Sequence, residues 1–451
     1  MNSHTSYTSP LSERYASQAM LELWSPQRRH STWRKLWLAL AEAERELGVR
    51  DERGQPLISD EGIEQMRAHV HDIDFAAAGD FERRFRHDVM AHVETFAAAA
   101  PAARPFIHLG ATSAFVTDNA DLVLMREGLT LLREKVVSAI QALAVFARRW
   151  AHEPTLAYTH LQPAQLTTVG KRATLWMQDL VLDLADLDHR VATLPLRGVK
   201  GTTGTQATFL ELLRGDHHAV RALEKNVVHR MGFTHVLPVT GQTYTRKLDA
   251  HVLGVVAGIS ASAAKFASDI RLLQSFGEIE EPFEEEQIGS SAMAYKRNPM
   301  RSERINSLAR FVMTLEVNSN LTHSAQFFER TLDDSANRRL VIPEMFLATD
   351  AVLLLMGNVS VGLEVHPARI RQRLESELPF MATENVLMAE VAKGGDRQAI
   401  HERIRLHSNA VTAELKAGAG RNTLIERLQA DSAFAGIDFA AELERLTAAP
   451  T

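Results

Sequence analysis

The chain has 451 residues, 45% of them hydrophobic and 24% charged, with a formal net charge of -6. This is the composition of a globular protein with a large core and room for two or three domains, and it lacks the basic excess of a general nucleic-acid binder. The absence of cysteine excludes disulfides, thiolate catalysis and cysteine-ligated zinc.

From the N-terminus, MNSHTSYTSPLSERY has no basic stretch followed by an apolar run, so no secretory leader is expected. Residues 1 to about 25 are polar and read as an extended lead-in. Ser31 and Thr32 then cap a helix that carries Trp33, Leu36, Trp37, Leu40 and Leu47 at helical spacing, with Gly48 at its stop. Helices follow over Glu61 to Val70 and across Phe81 to Ala99, and Pro101 to Pro105 closes this first region.

The middle holds long helical patterns: Thr117 to Trp150, Thr167 to Leu194, Tyr244 to Phe276, Ser302 to about His323, and Ser335 to about Leu363. Such lengths are far above the ordinary helix of about 11–12 residues, and helices of this kind pack lengthwise as a bundle. Pro343 should kink the fifth near its start. The third is apolar nearly all round at Val252, Leu253, Val255, Val256 and Ile259, so it needs cover on every side. A central place in one bundle or partner subunits would supply it, and oligomerisation is favoured. No run reaches about 20 apolar residues without charge, so no membrane span is expected. From about His366 the chain is charged and helical: Pro367 to Glu375, Glu384 to Lys393, Arg397 to Lys416, Thr423 to Ala430. No strand-rich block is evident. The fold class is all-α in three segments: 1–111, 112–364 and 365–451.

The stretch richest in chemistry is QIGSSAMAYKRNPMRSER, Gln287 to Arg304. Gly289 permits unusual backbone conformations. Ser290 and Ser291 supply hydroxyls and N–H groups able to hold an oxyanion, and Lys296 suits a substrate carboxylate. Pro299 fits a helix start, with Glu303 and Arg304 in the first turns. A flexible connector with a serine cap is the plainer reading. Elsewhere, Thr159 and His160 sit in a loop before LQPAQ, and a lone loop histidine is usually a solvated one. Arg86, His87 and Asp88 orient a ligand or form an idle surface cluster. Thr112 and Ser113 follow Gly110 and either bind or cap. RGVKGTTGTQ reads as an ordered inter-helix loop, because it lacks the spacing of a phosphate-binding P-loop. Arg330, Ser335, Arg338 and Arg339 gather at a helix start, where anions are favoured. The 19 histidines form no HExxH, so neither a metal nor a cofactor is expected.

Taken together, these strings resemble a known family. GSSAMAYKRNP resembles the GSSxMPxKxNP signature of the fumarase/aspartase superfamily, with Ala294 where the pattern has proline. THLQPAQ is similar to that superfamily's THxQxAQ segment. With RYAS, RHDVMAH, HLGATS, RGVKGTTGTQA, TGQTYTRK and FERTLDDSANRR, the resemblance narrows to the adenylosuccinate lyases, most closely the form found in animals and some bacteria. It spans about residues 8 to 430.

The resemblance implies an all-α homotetramer with a central core of long helices and active sites drawn from three chains. It implies a cytoplasmic enzyme of purine biosynthesis acting on nucleotide substrates, with no bound nucleic acid, membrane or cofactor. The implied reaction is β-elimination of fumarate, from adenylosuccinate to give AMP and from the succinyl-aminoimidazole carboxamide ribotide. By the same resemblance Ser290 is the base and His160 the acid. Glu303 holds His160, while Lys296 and Ser291 hold carboxylates in the loop that Asn298 shares. Arg14, Tyr15, Arg304, Arg330, Ser335 and Arg339 match nucleotide-binding positions. Arg86, His87, Asp88, Thr112, Ser113, Thr159 and Gln242 match positions around the rest of the substrate. Two other readings stand beside this one. Another fumarate-releasing lyase, such as argininosuccinate lyase, fumarase or aspartase, would not need Arg330 and Arg339 together. A structural protein that has lost catalysis would not need Ser290, His160, Lys296 and Glu303.

Overall fold

A computed structural model describes residues 5–447. The lead-in is not extended. A short π-helical turn, Leu11–Tyr15, precedes α1 (Gln18–Leu23). Helix α2 (Pro26–Glu46) starts earlier than the sequence suggests, because Ser25 caps it and Pro26 takes the first helical position. Ser31 and Thr32 are buried inside α2 instead of capping it, and Gly48 follows its end at φ 71°. Then come α3 (Asp60–Ala68), α4 (Phe75–Phe85) and α5 (Asp88–Ala99). The expected single helix across Phe81 to Ala99 is broken because Arg86 adopts a left-handed conformation, φ 55°, and His87 begins a new helix.

The long helices are α6 (Ser113–Arg149), α7 (Val169–Thr193), α10 (Lys247–Phe276), α11 (Met300–Ser324) and α12 (Asp333–Gly362), with α8 (Ala207–Leu212) and α9 (His217–Arg230) between the second and third. Helix α12 continues through Pro343. Where the sequence reads as a loop before α7, β1 (Pro154–Thr159) and β2 (Gln162–Thr168) form an antiparallel hairpin with a register shift at Ala157/Tyr158. A second small ladder pairs β3 (Ile279–Glu280) with β4 (Glu364–Val365). The C-terminal region is α13 (Pro367–Ala392), α14 (Arg397–Lys416), α15 (Leu424–Ala430) and α16 (Phe439–Thr447). Helix α13 runs unbroken through Pro379, where the sequence suggests two helices.

By packing, the chain forms two compact units, and the division falls inside the five long helices. One unit comprises residues 1–137, 182–264 and 305–354. Its core gathers Leu36, Trp37, Phe96, Phe106, Phe115 and Phe209, and α10 meets α12 there through the buried pair Ser260–Thr349 at 2.9 Å. The other unit comprises 138–181, 265–304 and 355–451. It holds a core of Val386, Leu387, Ile404, Val411 and Leu428, and a smaller cluster of Leu156, Leu374 and Met381 beside the hairpin. Helices α10 and α12 are long and apolar enough to cross a membrane by length and composition, but 44% and 61% of those windows is already buried inside the protein.

Candidate active site

In the first unit, a cavity of about 890 Å³ opens where α2, α4, α5, α6 and α12 meet the segment before α10. Nine of the candidate site residues singled out from sequence line it: Arg86, His87, Asp88, Ser113, Gln242, Arg330, Ser335, Arg338 and Arg339. Thr112 stands one step behind, accepting a hydrogen bond from the Gln242 amide at 3.3 Å. His87 caps α5 by accepting from the Met90 N–H through Nδ1 and presents Nε2 3.5 Å from the Ser113 hydroxyl.

The cavity floor is a buried ion network. Arg246 donates to Asp334 at 2.7 Å and to Asp118 at 3.1 Å. Arg338 donates to Asp249 at 2.7 Å and to the Tyr244 hydroxyl at 2.6 Å, and pairs with Asp121 at 3.0 Å. These carboxylates hold both guanidiniums firmly protonated despite their burial. Arg338 is thus fastened away from any ligand, while Arg330 keeps one link, to Asp334 at 2.8 Å. At the rim the arginines are looser. Arg339 is 3.6 Å from Asp88, and among the described residues Arg29 and Arg86 have no carboxylate within 4 Å. Paired cations below and spare cations above suit an anionic ligand at the mouth.

RGVKGTTGTQ is an ordered loop, as expected, and its cations are consumed internally. Arg197 is fully buried and donates to the carbonyls of Gln242, Lys200 and Gly201 at 2.8, 2.9 and 3.1 Å, while Lys200 pairs with Glu224 at 2.6 Å. Arg197 and the Gln242 N–H, which donates to the Glu329 carbonyl at 2.9 Å, together fix Gln242 at the cavity wall.

The second unit carries the serine loop. Gly289 is required there, because a Cβ would run into the Lys296 carbonyl, and the Asn298 amide closes the loop onto the Gly289 carbonyl at 2.8 Å. The Ser290 hydroxyl oxygen accepts from the N–H groups of Ala292 and Met293 at 3.3 and 3.1 Å. Ser291, Lys296 and Glu303 are exposed. Helix α11 begins just beyond, and its first N–H groups, at Arg301 and Ser302, donate to the buried Glu281 carboxylate at 2.9 and 2.8 Å. Thr159 and His160 lie at the exposed tip of the β1–β2 hairpin, His160 at φ 53°. Among the described residues no hydrogen bond or ion pair joins His160 to Glu303. Arg304 is half-buried, whereas Arg14, in the first unit, is exposed, with its guanidinium 5.8 Å from the Tyr15 ring centroid. Glu280, Glu364 and His366 bring ligand-type atoms within 4.8 Å of one another; the Arg297 guanidinium, 3.5 and 3.7 Å from the two carboxylates, is the cation of that cluster.

A family model described as Lyase matches residues 5–314, and one described as Adenylosuccinate lyase C-terminus matches 379–450. The adenylosuccinate lyase of Saccharomyces cerevisiae is 53% identical over 436 residues, 96% of this chain and 89% of the yeast protein. That of Schizosaccharomyces pombe is 52% identical, with 97% and 90% covered, and that of Schistosoma mansoni 47%, with 97% and 90% covered.

The chain belongs to the adenylosuccinate lyase family.

Its activity is that of a carbon–nitrogen lyase of purine biosynthesis. The fold agrees: a fumarate lyase from Mesorhizobium sp. BNC1 superposes with a TM-score of 0.80 at 24% identity, over 98% of this chain and 95% of the other. The 3-carboxy-cis,cis-muconate lactonizing enzyme of Pseudomonas putida gives 0.79 at 21% identity, with 96% and 93% covered. At such identities these two likenesses concern the fold alone. Sequence reasoning missed Arg29, Arg246, Asp118, Asp334 and Glu281. Arg246 lay inside TGQTYTRK, but nothing in a string distinguishes a buried arginine from a solvated one.

Proposed function

We propose that this enzyme cleaves adenylosuccinate to AMP and fumarate, and the succinyl-aminoimidazole carboxamide ribotide to its free carboxamide, with Ser290 as base and His160 as acid. Ser290 takes the proton from the carbon next to the succinyl carboxylate. The electron pair left behind builds the double bond of fumarate as the carbon–nitrogen bond breaks, and His160 gives a proton to the departing nitrogen. The intermediate carries extra charge on its carboxylate, which Lys296 and Ser291 offset. Glu303 holds the His160 tautomer. Arg14, Tyr15, Arg304, Arg330, Ser335 and Arg339 take the nucleotide, chiefly its phosphate, while Arg86, His87, Asp88, Thr112, Ser113, Thr159 and Gln242 surround the rest, and Asn298 holds the loop.

The observation that carries this reading is the convergence of four distant strings, RHD, TS, GQT and RTLDDSANRR, on one arginine-rimmed cavity. A second support is the pair of N–H groups on the Ser290 oxygen, since donors to an oxygen favour its ionised form. We also propose that the enzyme works in the cytoplasm as a homotetramer with sites shared between subunits, and that its domains divide at 111/112 and 364/365. In support, α10 leaves Gly254 and Ala261 exposed beside its buried face, and Val317, Leu321 and Val361 on the long helices are 52%, 62% and 79% exposed. Ultraviolet-monitored turnover of the pure protein tests the reading. Adenylosuccinate should be consumed, and argininosuccinate, aspartate and malate left intact; consumption of any of those three instead would overturn it.

A further inference from the structure

The structure contains a buried carboxylate that the chemistry above does not use. Asp350 lies in the middle of α12, fully buried and flanked by Ala348, Ala351, Val352 and Leu353. A carboxylate in such a place is costly, and an apolar side chain would fill it at no greater cost. One oxygen accepts the Ser17 N–H at 2.6 Å, across 333 residues of sequence. The Lys135 ammonium, on α6, stands 2.8 Å from the other oxygen as an ion pair, off the hydrogen-bonding direction.

Ser17 is two residues beyond Tyr15. The segment around it is built of short pieces. The turn Leu11–Tyr15 has five residues and α1 has six, and helices this short are not stable alone. Its apolar anchors are Leu11, Met20 and Leu23, all buried. Between them Ala16 and Ser17 are extended, with φ near -75° and -70°, and they carry the exposed Arg14 and the half-buried Tyr15 on one side. Fixing the Ser17 nitrogen confines Tyr15 to within about 7 Å of chain.

We propose that Asp350, charge-balanced by Lys135, is a positioning residue for substrate: through the Ser17 N–H it sets the N-terminal arm that presents Arg14 and Tyr15 to the nucleotide. The inference rests on the reading of Arg14 and Tyr15 as nucleotide-binding residues. Asp350 does not touch substrate. It acts by reducing the number of places the arm occupies before binding, which lowers KM and leaves the chemical step alone.

The Ser17 backbone allows a clean test on the full-length enzyme. Its φ is the one proline requires, and Ala16 is extended as a residue before proline must be. Ser17→Pro therefore deletes the N–H with the backbone dihedrals kept, and because its ring carbon takes the place of the hydrogen the Asp350 side chain must turn away from it. Ser17→Ala keeps the N–H and loses only the hydroxyl that caps α1 at Met20, so it is the reference. With adenylosuccinate, KM in Ser17→Pro should exceed that in Ser17→Ala by roughly tenfold, as for a lost hydrogen bond to a charged group, with kcat within about twofold. The rise should vanish in an Arg14→Ala background, because both changes act on one arm. Equal KM values, or a rise undiminished by Arg14→Ala, overturn the inference. If Ser17→Pro does not fold, Asp350→Leu combined with Lys135→Met removes acceptor and charges together. It should show the same KM rise, and an unchanged KM there overturns the inference equally. A wild-type enzyme inactive on adenylosuccinate overturns the functional reading and this inference with it; an active wild type confines failure to the arm.

Discussion

At the scale of the residue, the loop around Ser290 shows what a single side chain decides. Lys296 N–H donates to the Met293 carbonyl at 3.0 Å, so Ala294 occupies the second position of a tight turn, the place where proline is most at home. No hydrogen bond is made by the Ala294 N–H among the described residues. Ala294→Pro should therefore restrict the open loop without breaking it, stabilising the turn by about 0.4–1 kcal/mol. Loop ordering and turnover measured beside the wild type should both change, and indistinguishable values would contradict the role given to this position. A second residue-scale effect concerns pH. Burial, with His92 and nearby arginines adding to it, lowers His30 to about 3; burial lowers His92 and His108 to about 4. His108 accepts the Trp37 N–H through Nδ1 at 2.9 Å, which fits a neutral ring. The unfolded chain takes up these protons near pH 6.5, so the stability they represent is intact above that pH and is lost as pH falls toward 4. The melting temperature of His92→Gln should fall less steeply than that of wild type over this window; parallel curves would count against it. Arg86, Arg330 and Arg339 were legible as neighbours in one cavity because they lie in unbroken strings. Arg29 and Asp334 were not legible as site residues, since the burial and pairing of a charge depend on partners far away in sequence.

At the scale of the element, α11 illustrates how a distant carboxylate holds a helix start. Glu281 receives two of its first N–H groups and the Ser302 hydroxyl, the last at 2.8 Å, and a carboxylate is favoured at that end of a helix. Glu281→Gln keeps the shape and removes the charge. It should cost about 1–3 kcal/mol of stability and lower turnover, because Glu303 and Arg304 ride on the same turns. A variant as stable and active as wild type would show that the cap does not matter. The long helices were legible from apolar spacing alone, with ends shifted by a few residues where caps lay outside the periodic run. The β1–β2 hairpin was not. Pro163 and the polar residues around His160 read as a loop, whereas cross-strand pairs such as Leu156 with Leu166, with Leu156 buried beside Leu374, make the segment a ladder. The left-handed Arg86 was equally hidden, since arginine gives no local sign of positive φ.

At the scale of the whole molecule, the single chain leaves His160 and Glu303 exposed and unjoined, and apolar residues open along its long helices. Both features have one explanation if several copies build each site. Closed symmetric assembly would cover the helices and bring the hairpin tip of one subunit to the loop of another. The measurement that tests this most directly mixes two inactive variants. Ser290→Ala and His160→Ala, each expected to lose a factor of about 10²–10⁴ in kcat, are allowed to exchange subunits in equal amounts. If base and acid come from different chains, random mixing restores both to roughly one site in four, and adenylosuccinate turnover should rise to that fraction of wild type. Activity that stays at the level of the separate variants in mixed oligomers would mean that each site takes Ser290 and His160 from the same chain, and would contradict the shared site.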